Sequence, residues 1–160
     1  MKLRTAVRLK NGILGGIVGG IAGGLVMAVG METAQRAGLL KTPLPLRIER
    51  KLEARLGLAR KTGPKQEKAL AMGEHMLISA LMGAAFGAMS GGFNLPALPS
   101  GPLFGLGLYA LNLGSIGPAL DLTRGPWDES SMTVGRRMMM HVLYGTILAL
   151  VAERIRRANI

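Results

Sequence analysis

His75 and His141 are the only two histidines in the 160-residue chain. Each stands about one turn inside an apolar run. Ionisable groups within a membrane are costly, and they often mark function. Three chemistries fit imidazoles so placed. Two imidazoles on parallel helices of a four-helix bundle can ligate one haem iron. His75 and His141, with Glu74 and Glu153, could handle protons or ions. Alternatively, each imidazole stays neutral and bonds a backbone carbonyl or another helix, serving only packing. Aromatic residues make up only 4% of the chain, and both histidines are shallow. Both facts count against haem, and no cofactor is expected. Glu74 adjoins His75 but falls on a different helical face, so direct pairing is not expected. Asn112 and Ser115, in a third apolar run, fit as interhelical glue or as the lining of a polar path.

Nothing points to catalysis. The chain has no cysteine, which excludes disulfides, Cys-ligated zinc and iron–sulfur clusters. No Ser–His–Asp spacing, metal box or nucleotide loop occurs. Gly105-Leu106-Gly107 is too short for a phosphate loop and lies inside an apolar run. Asp128 and Glu129 read as a solvated loop, and Trp127 beside them as an interfacial anchor. A non-enzyme is expected.

The elements that must hold these residues are membrane helices. Hydrophobic residues make up 49% of the chain, with mean hydropathy +0.32 and 24 glycines. Glycine weakens helices in water, but in lipid it lets helix backbones approach closely. The pattern predicts an all-α, four-span bundle in one membrane domain, with spans near 12–31, 70–92, 103–120 and 138–152. A span needs about 20 residues, so the last is short and calls for bilayer thinning or snorkelling. Ala28-Val29-Gly30 resembles a signal-peptide cleavage site, yet the first run reads as a retained span.

Three of the runs carry small-residue stripes. In the first, Gly15, Gly19 and Gly23 form one ridge and Gly12, Gly16, Gly20 and Gly24 the next. The strip they make can receive two neighbouring helices, or self-association. In the second run His75 heads a four-residue spacing through Ser79, Gly83, Gly87 and Gly91; in the last, His141 heads Gly145 and Ala149. The two His-headed stripes look like copies of one design, a hint of two helix pairs. They could face one another, or each could face the glycine strip.

Between the first two spans lies a polar segment, residues 32–68. Pro43 and Pro45 break it, and a short amphipathic helix follows from Leu46 to Gly57. Ile48, Leu52 and Leu56 mark its apolar side. Arg47, Arg50, Lys51 and Arg55 are expected to meet anionic lipid headgroups, with a solvated connector as the alternative. The net charge of +11 could suggest nucleic acid, but the cations flank apolar spans and aromatics are few, so lipid is the expected partner. The first loop carries more Lys and Arg than the tail with Lys2, Arg4, Arg8 and Lys10. The positive-inside rule therefore favours that loop in the cytoplasm.

The order of these pieces resembles the YagU-like family of small bacterial inner-membrane proteins. The likeness rests on a first span ending near Glu32, the turn Pro43-Leu44-Pro45-Leu46-Arg47, and a span opening with His75, Ser79 and Gly83. A loop with Trp127 and Glu129 then precedes a last span opening with His141. Leu44 and Leu46 depart from the paired prolines expected there. The resemblance implies a multi-pass protein of the bacterial inner membrane and no defined activity. The function expected is a packing or accessory subunit of a membrane complex, or a homo-oligomer. A small proton, ion or solute transporter is the alternative.

Overall fold

The computed structural model describes residues 2–39, 44–57 and 63–158. Pro43, and the cations Lys41, Arg60 and Lys61, lie outside them, as do the side chains of Leu52 and Leu56. The described residues are all-helical: α1 (Lys2–Arg36), α2 (Leu44–Leu56), α3 (Pro64–Phe93), α4 (Ala97–Leu111), a π-helical turn (Asn112–Ile116), α5 (Gly117–Ala119), a 3-10 turn (Pro126–Asp128) and α6 (Ser131–Ala158). Three of these helices, α1, α3 and α6, are long and apolar enough to cross a membrane.

All three run well past the bounds that hydropathy alone suggests. Charged ends extend each helix into the interfacial region, where hydropathy falls but the backbone still bonds to itself. α6 has 28 residues, about 42 Å at 1.5 Å per residue, which is long enough to cross a membrane without calling for bilayer thinning. The 103–120 run is helical as far as Ala119, but it widens into a π-helical turn at Asn112–Ile116, and the chain is kinked just before the run. Leu98 has extended backbone (φ −107°, ψ 123°), as a residue preceding proline tends to. Further on, Pro118 has no N–H and its ring would crowd the Gly114 carbonyl. The helix widens one turn earlier, and the Gly117 N–H reaches back to the Asn112 carbonyl. The hydroxyl of Ser115 donates to the Ala110 carbonyl at 3.1 Å, so its polar group is satisfied within its own helix.

α1 sits between α3 and α6 and is antiparallel to both. Gly12, Gly16, Gly20 and Gly24 lie against α3, where they meet Gly91, Gly87, Gly83 and Ser79. Gly15, Gly19 and Gly23 lie against α6, facing Ala152, Leu148 and Tyr144. Both ridges are thus occupied by this chain's own helices, and neither is left over for a second copy. The remaining side of α1 carries Leu14, Val18, Ile21, Leu25 and Val29, all exposed. That spacing makes an exposed apolar stripe suited to lipid.

The His141 stripe faces neither α1 nor α3. Gly145 and Ala149 pack on Gly101 of α4, and Gly105 of α4 lies on the His141 carbonyl. Each His-headed stripe therefore closes a separate antiparallel pair, α1 with α3 and α4 with α6. Large side chains fill the space between the pairs. Phe86, Leu108, Tyr144 and Leu148 are buried there, and the rings of Phe86 and Phe104 stand 5.2 Å apart. The Tyr144 hydroxyl donates to the Ser79 carbonyl at 2.7 Å, tying α6 to α3.

A Cβ on Gly16 would collide with the Gly83 carbonyl and lie 2.8 Å from the Gly87 Cα, whereas one on Gly73 would meet nothing within 4 Å. Gly16→Ala is expected to destabilise the fold by about 1–3 kcal/mol, the usual range for overpacking. Gly73→Ala should change stability by no more than about 0.5 kcal/mol. Thermal unfolding in mild detergent reads both.

Candidate functional site

His75 and His141 lie at the same end of the bundle but in different surroundings. His75 sits on α3 where it crosses α1, and its Nε2 is 3.3 Å from the Gly24 carbonyl oxygen. It also lines a cavity of about 90 Å³ with Glu32, Gln35, Leu46 and Lys68. His141 Nδ1 donates to the Arg137 carbonyl at 2.8 Å, one turn back in its own helix. Its ring stands edge-on to Tyr109 of α4, with centroids 5.6 Å apart. The two imidazoles thus each hold a backbone carbonyl, and His141 is not among the residues lining the cavity beside His75.

The other candidate polar residues do not converge on them. Glu74 is exposed on α3. Glu153 lies twelve residues beyond His141 on α6, about 18 Å along the axis, at the opposite end of the bundle. There it is paired with Arg157 and lies 4.0 Å from Arg156. Asn112 begins the π-helical turn and is half-buried. Among the described residues, no group of three or more His, Asp or Glu is placed to hold a metal ion.

What joins His75 at its end is an ion cluster. Lys68 and Arg36 both bind Glu32, at 2.7 and 3.1 Å. This links the end of α1 to the start of α3 at the mouth of the cavity. Glu32 and Lys68 are invisible as partners in the sequence because 36 residues separate them. Their only signal is opposite charge at the two edges of adjoining spans.

At the far end, Arg156 is the charged residue that pattern reading passes over. It is 8% exposed. Its guanidinium donates to Asn94 Oδ1 at 2.6 Å and reaches the Ser90 and Leu95 carbonyls at 3.5 Å. Helix α3 ends there, with Asn94 in the left-handed region (φ 53°). A cation is favoured at a helix C-terminus, where backbone carbonyls lack partners. Arg156 is thus a clamp from α6 onto the end of α3. A basic residue four positions from the last residue of the sequence reads as a solvated tail until the partner helix is known.

Of the four α2 cations expected at lipid headgroups, three are engaged inside the chain. Arg50 binds Glu67 of α3 at 2.6 Å. Lys51 donates to the Asp121 carbonyl at 3.0 Å, and Arg55 binds the Asp121 carboxylate at 2.8 Å and the Leu120 carbonyl. These contacts lay α2 across the ends of α3 and α5. Arg47 is exposed and makes no ion pair with a described residue. No family model, curated protein or solved structure matches the chain.

Arg156 and Arg157 make opposite predictions for one type of substitution. Arg156→Ala strands the Asn94 side chain and α3 carbonyls, at a cost of about 1.5–3 kcal/mol. Arg157, with a side chain 74% exposed, should cost at most about 1 kcal/mol. Chemical or thermal unfolding of the two variants in the same detergent compares them.

Proposed function

We propose that the chain is a non-enzymatic, four-span protein of the bacterial inner membrane that acts as a compact accessory subunit. The fourth span is the broken segment from Ala97 to Ala119. Its apolar composition and its packing on α6 through Gly101 and Gly105 support a transmembrane position beside α1, α3 and α6. The YagU-like motif order supports the bacterial inner membrane. The orientation that puts α2 in the cytoplasm is favoured by charge. Arg124, Arg136 and Arg137 join the cations of the first loop at that end.

One observation carries the accessory reading: the polar groups inside the bundle are spent on holding helices. His75, His141 and Tyr144 all bond backbone carbonyls, and Phe86 and Leu148 fill the centre. Partners would meet the lipid-facing side chains and the α2 end, since the glycine ridges of α1 are used internally.

A second reading, proton or ion transport, is favoured by the cavity that joins His75 to Glu32 and Lys68. Two measurements separate the readings. Mild-detergent purification from the native membrane should yield defined co-purifying membrane proteins, which an accessory subunit requires. Reconstituted liposomes should show no proton or cation flux above protein-free controls. Flux that disappears in His75→Ala and His141→Ala would replace the accessory reading with transport.

A further inference from the structure

The clearest binding feature outside the helix crossings is an open groove of about 440 Å³ between α2 and the connector from α5 to α6. Arg47 and Lys51 of α2 line one wall; Arg124, Trp127 and Asp128 line the other. Pro118 and Asp121 lie between them. Of the two carboxylates, that of Asp121 is already bound by Arg55. Arg47 and Arg124 are exposed, and neither has an ion-pair partner among the described residues. The cations Arg47, Lys51 and Arg124 therefore outnumber the remaining carboxylate, Asp128, and the groove keeps a net positive charge.

Its surroundings choose between kinds of anion. Trp127 is 70% exposed, an arrangement suited to the headgroup level of a bilayer, where tryptophan is enriched. Beside the groove, Leu120 at the end of α5, whose carbonyl Arg55 binds, is an exposed apolar side chain. A charged recess bordered by an apolar surface matches a molecule with a phosphate head and acyl chains. A free phosphate would use only the recess.

We propose that this groove binds the phosphate-bearing headgroup of an anionic phospholipid, with Arg47 and Arg124 as the principal cationic contacts and Trp127 flanking the head. The site needs the helices that adjoin it to lie in a membrane. It does not require the accessory function or any protein partner.

The chain itself supplies the reporter, because Trp127 is its single tryptophan. Full-length protein in neutral detergent is titrated with phosphatidylglycerol, phosphatidylcholine or inorganic phosphate while Trp127 emission is followed. The expected result is a saturable change with phosphatidylglycerol at concentrations where the other two give none. Each cation near a membrane surface contributes about 1 kcal/mol to anionic-lipid binding. Arg47→Gln and Arg124→Gln should therefore each weaken binding about fivefold, and the double variant more than tenfold. Arg154→Gln, an exposed cation at the opposite end of α6, should titrate like the parent and controls for general charge. Equal responses to both lipids, or unchanged titration in the Arg47/Arg124 double variant, would overturn the site. A full response to inorganic phosphate alone would overturn the lipid as its ligand.

Discussion

Backbone-to-backbone contact along α1 is the constraint from which the rest of the bundle follows. In a bilayer, apolar side chains gain little by leaving lipid for one another, so helices associate through dispersion contacts and hydrogen bonds at close range. Two adjacent ridges of glycine on one helix allow that approach twice. They place α3 against one side of α1 and α6 against the other. The third side of α1 is then left exposed and apolar. α6 repeats the device on its next face, where Gly145 meets Gly101 and brings in α4. Between the two pairs the separation is wide enough for a pair of phenyl rings, and Phe86 and Phe104 occupy it.

The polar contacts finish what the glycines begin. Tyr144 joins the two pairs near their middle. Arg156 fastens α6 to the end of α3, and the Glu32 cluster fastens the start of α3 to the end of α1. α2 covers the same end as the Glu32 cluster through Arg50, Lys51 and Arg55. Each bond satisfies a group that lipid would leave unpaired or a backbone carbonyl at a helix end. Of the four cations singled out on α2, the one these contacts leave without an ion pair among the described residues is Arg47.

Helical class and the small-residue spacing were legible because both are local and periodic. A four-residue recurrence of glycine can be read from one helix without knowing its neighbour. Which neighbour receives each stripe was not legible. Gly145 and Ala149 could equally have met α1, α3 or α4, and Gly101 and Gly105 look unremarkable until they are seen opposite. Helix ends were not legible for a related reason: Arg136 and Glu153 lower local hydropathy, yet the intrahelical bonds continue through them. The π-helical turn after α4 had its cause in plain view at Pro118, but a proline near the end of an apolar run does not reveal whether the helix stops or widens. The roles of Arg156 and Glu32 depend on residues that are distant in sequence, so charge pattern alone could not assign them.

Because the chain has no cysteine, its central claim can be tested by one crosslink. A Cβ on Gly24 would lie 2.8 Å from the Cβ of Ser79, and a disulfide needs about 3.5–4.5 Å between them, which a small separation of α1 and α3 provides. Gly24→Cys/Ser79→Cys protein is oxidised in its native membrane and run under non-reducing denaturing conditions. Internal use of the glycine ridge predicts a crosslinked monomer of altered mobility that reverts on reduction. A crosslinked dimer, with no intramolecular product, would show that α1 pairs with another copy and would contradict the account.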